Sequence, residues 1–441
     1  MALGRRTGKQ HEGMIVLADL PAPPAAPFYE RLNAVLDEAD FDPFVEDLCR
    51  PYYADGVGRP GLPPGVYFRM LFVGYFEGLD SQRVIAWRCA DSRSLGAFLG
   101  CPPTKATPDH SSLTKVRQRL PGHVHDRVFV FVLRLARQEG LLRGKTVGVD
   151  STTLEANAAM KGIVRKDTGE DYQHYLKRLL GEQGVNEPTA EAVRRFDKGR
   201  KKKASNKEWQ SPTDPDSRIA KMKDGTTHLA YKAEHVVDLD SEFVLAAGAH
   251  AADRSDGDSL VGSVVQAQVN LVLAGSEQEI EEAVTDKGYH KAQTLVDCAA
   301  CNTRTYIPEP EGKEYNWRDK PAAWRPAVRA NRRRLKGSRN KRLQKRRSEL
   351  VERSFAQVCE TGGARRSWLR GLLEVSKRYV VTVAAHNLGR LLHKLFGVGK
   401  PRILQGAARL LRPLAHGLDC LSGLAGRNAG RPAFLPAAAG P

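Results

Sequence analysis

After Gly140 the chain changes period, and that change constrains its fold more than any other feature. KTVGVDSTTLEAN, from Lys145 to Asn157, alternates Val and Thr as a half-buried strand does. HLAYKAEHVVDL and EFVLAAGAH then read as a pair of strands around the turn Asp238 to Ser241. DGDSLVGSVVQAQVNLVL has helical spacing, EEAVTDKGY is a short strand ending in a turn, and KAQTLVDCAA is helical again. Strands alternating with helices require an α/β layer architecture, a sheet flanked by helices. Met160 to Ser217 interrupts the order with a polar, strongly charged stretch, expected to be an inserted loop or excursion.

The first 140 residues read as mainly helical. Pro63 and Pro64 open VYFRMLFVGYFEG, since proline's missing N–H costs nothing in a first helical turn. Ser81 caps QRVIAWRCADSRSLGAFLG, expected as one helix. DHSSLTKVRQRL follows, and HVHDRVFVFVLRLARQE stops at Gly140. A helix-turn-helix and a bundle that only packs or dimerises both fit this pattern. The expected division is a helical region 1–140, an α/β region 141–396 with the insertion near 160–217, and a tail 397–441. Of its last 21 residues, 13 are Ala, Gly or Pro, a composition expected to be partly disordered.

Charge narrows the partner. The chain carries 69 Lys and Arg against 51 Asp and Glu, a formal net charge of +18. Arg329 to Ser348 holds 11 of these cations and no acid, and Lys198 to Lys207 holds 6 more, also without an acid. Two concentrated cationic segments on a near-neutral body point to a polyanion, most often nucleic acid. The longest strongly apolar run, Val128 to Leu133, is far too short to span a bilayer, and the N-terminus lacks the apolar core of a secretory signal. Seven cysteines do not make a disulfide framework in a chain of 441 residues, so a cytoplasmic protein is expected.

Two carboxylates stand out. Asp150 ends the apolar stretch TVGVD and Asp286 ends EEAVTD. Acids at the carboxyl ends of neighbouring strands converge, repel, and are reconciled by a hard cation that prefers oxygen ligands. A strand-end Asp is also a common turn former, so each alone carries little. Other motifs fail. Gly140 to Thr146 (GLLRGKT) is one residue short of a phosphate-binding loop and follows a helix. Cys298 and Cys301 lack a second pair at zinc-site spacing. No HExxH or GxSxG occurs.

GVDSTTLEAN, KMKDGTTHLAYKAEHVVDLD, VTDKGYH and VERSFAQVCETGGARRSWLRGLLEVSKRYVVTVAAHNLGRLL together resemble the catalytic region of bacterial insertion-sequence transposases of the DDE type. RPGLPPGVYFRMLFVGYFEGLDSQRVIAWRCADSRSLGAFLG resembles their InsH-like N-terminal region, and the motifs occur in the family's order from Arg59 to Phe396. The resemblance implies an RNase H-like mixed sheet flanked by helices, preceded by a helical DNA-binding region. It implies that two Asp and one Glu hold two Mg²⁺ ions, or Mn²⁺: Asp150, Asp286 and Glu352, separated by 136 and 66 residues. Glu349 and Glu360 are the other acids in reach of the third position. The implied reaction is metal-dependent cleavage at element ends and transfer of the 3′-hydroxyl into target DNA, by a homodimer or higher oligomer that pairs the two ends. A DNA-binding descendant without the chemistry, and a nuclease of the same fold without strand transfer, are the alternatives.

The chain departs from a related pattern in which an Arg precedes the Glu and a Lys follows it; Ser348 and Cys359 stand there instead. Phosphate contacts are expected from Arg332, Arg333, Arg334, Lys336, Arg339, Lys341, Arg342, Lys345, Arg346 and Arg347, and beside Asp286 from Lys287, Tyr289 and His290. Glu155 and Asn157 could support Asp150, although exposed positions are the simpler expectation. By family analogy, recognition of the element ends falls to Arg83, Arg88, Lys115, Arg117 and Arg119.

Overall fold

Capping residues divide the N-terminal half. Pro64 starts α3 (Pro64–Glu77), the Ser81 hydroxyl accepts from Val84 N–H at the head of α4 (Gln82–Asp91), and Asp109 caps α6 (His110–Arg119). The expected single helix after Ser81 is two. Ser92 takes an extended conformation and its hydroxyl accepts from Leu95 N–H, ending α4 and starting α5 (Arg93–Leu99). Before these come α1 (Pro27–Glu38) and α2 (Phe41–Cys49), and after them α7 (Gly122–Gln138). The computed structural model describes residues 27–401 apart from 55–57, 59, 186, 201–203, 223–224 and 313–315. Most of the expected tail, 402–441, and part of the first basic run lie outside the described residues.

The α/β region holds a mixed sheet. Its strands are β1 (Thr146–Glu155), β4 (Arg218–Lys221), β5 (Thr227–Asp238), β6 (Val244–Ala251), β7 (Glu282–Val284) and β8 (Arg304–Tyr306). They run in the order β4-β5-β1-β7-β8, and β6 pairs with β5 on the edge that β4 also uses. β1 is antiparallel to β5 and parallel to β7, and β7 is parallel to β8. One face carries α10 (Asp256–Leu273), which packs on β5 and β6. The other carries α13 (Ser338–Phe355), which lies on β1, β5 and β7.

The second basic run is not one helix. It spans the end of α12 (Trp324–Leu335), a break at Lys336 and Gly337, and most of α13. Beyond Phe355 the chain continues as a π-helix, Ala356–Glu360, and Val351, Phe355 and Val358 are buried. The long α14 (Leu372–Phe396) packs against α7, α3 and β6, so one apolar core joins the N-terminal helices to the sheet.

The charged stretch, expected as an inserted loop or excursion, is a folded excursion. It contains β2 (Val164–Arg165) paired with β3 (Trp209–Gln210), and α8 (Tyr172–Glu182) beside α9 (Ala190–Gly199). Leu176, Leu180 and Val193 form a small core of their own. The guanidinium groups of Arg165, Arg178 and Arg200 lie within 5.5 Å of the Tyr175 ring centre, which keeps concentrated positive charge compatible with folding. Between this insertion and the end of the sheet, α11 (Ala292–Ala300) links β7 to β8.

Candidate active site

Strand register brings the two aspartates together. Gly148 of β1 pairs in parallel with Val284 of β7, so two residues further on Asp150 stands beside Asp286, about one strand spacing (~4.8 Å) away. Asp150 is mid-strand, not at a strand end, because Ser151 to Glu155 remain paired with Glu234 to Ala230. Asp286 follows β7, and its side chain accepts from Gly288 N–H at 2.9 Å, turning the chain sharply. Burial pushes the Asp150 carboxyl above its ordinary pKa, Arg347 and the Ser151 N–H pull it down, and Asp286 adds to the rise.

Helix α13 approaches this pair closely because Gly148 lacks a side chain. A Cβ there would lie 2.8 Å from Leu239 Cδ2 and 3.0 Å from both Arg347 Cγ and Val351 Cγ2. Arg347 Nη1 donates to Asp150 Oδ2 at 2.8 Å. Arg346 and Arg353 reach Asp240 and Glu242 in the β5–β6 turn. At helical spacing Glu352 therefore projects from the opposite flank of α13, where it is exposed and accepts from the Ser348 hydroxyl at 3.2 Å. Glu349 pairs with Arg353 on the turn side, and Glu360 with Arg365.

Among the described residues, no three His, Cys, Asp or Glu side chains converge to hold a metal ion. Asp150 and Asp286 supply the hard oxygens that a divalent cation favours, so the pair fits such an ion. Glu352 does not join them in this arrangement, and Arg347 occupies one Asp150 oxygen.

A further acid stands closer, with no sequence signal to mark it. Asp256 occupies the first turn of α10, an ordinary helix-dipole position. Its Oδ1 accepts from Ser151 Oγ and from Lys232 Nζ, each at 2.8 Å. A Cβ on Gly288 would sit 3.1 Å from Asp286 Oδ1 and 3.3 Å from Asp256 Oδ2, so glycine lets both carboxylates flank the turn.

The expected phosphate contacts separate into two groups. Arg334 is held by the Thr305 carbonyl and hydroxyl, Arg339 by the Glu282 carboxylate, Arg346 by Asp240, Arg347 by Asp150 and Arg332 by Glu309. Arg333, Lys336, Lys341, Arg342 and Lys345 are exposed and make no ion pair within the described residues. Arg325, Arg329 and Arg333 follow one another at four-residue spacing on α12 and line one open groove. Lys287 is exposed, but Tyr289 and His290 are buried: the Tyr289 hydroxyl donates to Glu234, and His290 lies 4.0 Å from Glu309. Glu155 sits near His228 and Arg366, and Asn157 donates to the Trp368 carbonyl, so both serve local packing.

Among the N-terminal candidates, Arg117 is buried. It donates to Glu374 at 2.6 Å and to Gln82 at 3.4 Å, against the Trp368 ring. Arg88 lies 3.6 Å from Glu77, and Arg119 stacks over Tyr53. Arg83 and Lys115 are exposed. The Cys298 thiol is buried, which pushes it up to about 12, while Cys301 is exposed.

Two family models match. Residues 19–119 match a transposase domain and residues 274–392 match a transposase DDE domain. The first takes in α1 to α6, and the second contains Asp286 and Glu352 but not Asp150. A helical transposase domain ahead of a DDE domain defines the chain as a transposase. The two matches together support an insertion-sequence transposase of the DDE type, a class that acts on DNA in transposition and recombination and generally uses divalent metal ions. No curated protein matches the chain. No helix among the described residues is long and apolar enough to cross a membrane.

Proposed function

We propose that this transposase cuts DNA at the ends of its element and joins the freed 3′-hydroxyl to target DNA, using Asp150, Asp286 and Glu352. The observation that carries this is the parallel register of β1 and β7, which puts Asp150 beside Asp286 under a helix bearing Glu352 and uncompensated cations. The sheet, three antiparallel strands followed by two parallel ones on the β1 side, supports an RNase H-like reading. Glu352 is preferred to Glu349 because Glu349 is spent on Arg353, on the flank facing the β5–β6 turn.

Asp150 and Asp286 would hold a divalent cation, Mg²⁺ or Mn²⁺ and two ions in the complete site, with Glu352 completing the oxygen set. That group supplies Lewis acidity and a lowered pKa for an attacking water or hydroxyl. Arg347 neutralises Asp150 while DNA is absent, and a phosphodiester entering the site offers it a competing anion. Arg333, Lys336, Lys341, Arg342 and Lys345 steer and position the backbone without reading sequence. Exposed Arg83 and Lys115 are the remaining candidates for contacts at the element ends. A homodimer or larger assembly would pair those ends, in the cytoplasm, with the helical region 1–140 and the catalytic region 141–396 as its working divisions.

The test is a strand-transfer assay on labelled DNA carrying the sequences that flank the gene. Cleaved ends joined to a target plasmid are the expected product. Cleavage without joining would favour the nuclease reading. Binding without cleavage would favour the DNA-binding one, which the Arg347–Asp150 pair also suits.

A further inference from the structure

His235 lies directly across from Asp150 in the antiparallel pairing of β5 with β1, so both side chains leave the same face of the sheet, beneath α13. It is fully buried, and both ring nitrogens are engaged. Nδ1 is 2.8 Å from Ser354 Oγ and Nε2 is 2.8 Å from Tyr379 Oη. The Ser354 hydroxyl has one hydrogen, and it donates that hydrogen to the Val351 carbonyl at 2.7 Å. Ser354 must therefore accept from His235, which places the ring proton on Nδ1 and leaves Nε2 to accept from the Tyr379 hydroxyl. The imidazole face stacks on Phe355 with centres 4.1 Å apart and planes 14° from parallel.

The result is a directional chain, Tyr379 to His235 to Ser354 to Val351, that fastens α13 to β5 and α14. Its contacts on α13, Val351, Ser354 and Phe355, bracket Glu352. The π-helix begins immediately after Phe355, so the helix loses its regular backbone ladder where this side-chain clamp ends.

We propose that His235 is a positioning residue for the transposition site: it fixes the rotation of α13 relative to β1, and so the position from which Glu352, which does not reach Asp150 in this arrangement, would complete the oxygen set. The inference rests on Asp150 and Glu352 being the reactive carboxylates. Burial keeps His235 neutral, its pKa held well below the ordinary histidine value, so the clamp does not open with pH in the neutral range. Gly148 lets α13 lie close against β1, and the His235 chain adds a directional constraint to that contact. A displacement of about 1 Å at the reacting centre costs on the order of a hundredfold in rate.

The experiment compares His235→Leu, His235→Asn and Ser354→Ala with the wild type and with Asp150→Ala. Asn keeps an N–H donor near the Nδ1 position and can still reach Ser354; Leu cannot. Measured quantities are strand-transfer turnover, DNA affinity without metal, the Mn²⁺ concentration that half-saturates the thermal shift of the protein, and the unfolding midpoint. The expected result is a fall in turnover of roughly a hundredfold for His235→Leu and Ser354→Ala. DNA affinity should stay unchanged, the Mn²⁺ midpoint should move to higher concentration, and His235→Asn should recover most of both losses. If His235→Leu does not fold, Ser354→Ala decides, because it removes only one oxygen. Folded Ser354→Ala with wild-type turnover and Mn²⁺ midpoint overturns the proposal, as does Asn no better than Leu. Full activity in Asp150→Ala would instead overturn the carboxylate assignment on which the proposal rests.

Discussion

Arg347 donates to Asp150 across 2.8 Å, from the helix that bears Glu352 five residues later. A guanidinium held on a carboxylate oxygen competes with a divalent ion for that oxygen's charge, so Arg347 opposes metal loading at Asp150 Oδ2. A charge-assisted bond of this kind contributes about 1.5–3 kcal/mol, which corresponds to tenfold or more in affinity. Arg347→Met should therefore tighten Mn²⁺ binding to the DNA-free protein by about tenfold, measured by calorimetric titration. Unchanged Mn²⁺ affinity would mean that the oxygen held by Arg347 is not a metal donor.

The exposed cations of α12 and α13 predict a salt signature. Changing Lys341 and Lys345 to Ala should lower the slope of log K against log salt by roughly 0.9 for each phosphate that is no longer neutralised. Arg339→Ala should act differently. It leaves the buried Glu282 carboxylate with only Thr146, Tyr306 and the half-exposed Arg304, and should cost about 2 kcal/mol of stability with little change in salt slope. Fluorescence anisotropy across a salt series, with urea unfolding alongside, separates the two classes.

Arg117 reads in the sequence as a DNA-contacting cation, and the fold uses it to lock α6 to α14 through Glu374. Arg117→Ala should destabilise the protein by about 2–3 kcal/mol and preserve discrimination between element ends and random DNA. Loss of discrimination with stability intact would return Arg117 to the DNA surface.

Two buried histidines predict acid sensitivity. Burial lowers His125 from 6.5 to about 4 and His386 from 6.5 to about 3. Unfolded chains then bind protons that the folded protein refuses, so their stabilising contribution is complete above pH 6.5. It is lost as pH falls through 6.5 towards 4 for His125 and towards 3 for His386. For His125 alone the loss is roughly 3 kcal/mol. Urea midpoints measured from pH 7 to pH 4 should fall steadily, and His125→Asn should flatten the curve.

The sheet and its acids are readable in the sequence because their signals are local. Val–Thr alternation sets β1, and Asp286 announces itself by closing an apolar strand. What escapes depends on distant packing. Ser92 splits a helix that periodicity alone would continue, and the short β8 is defined only by pairing with β7. Asp256 looks like a helix-dipole acid until α10 folds it against Ser151 and Gly288. Tyr289 and His290 are polar enough to suggest a surface, yet the turn at Asp286 directs both inward. The basic run announces its charge but not which cations the fold consumes internally.

The most direct measurement is strand-transfer rate for Asp150→Asn, Asp286→Asn, Glu352→Gln and Glu349→Gln, each checked for folding and DNA affinity. The account predicts a fall of at least about a thousandfold for the first three, comparable with loss of a preorganised catalytic group, with DNA binding retained. Glu349→Gln should stay within a few-fold of the wild type. Near-normal transfer by Asp286→Asn, or a Glu349→Gln loss that exceeds the Glu352→Gln loss, would contradict it.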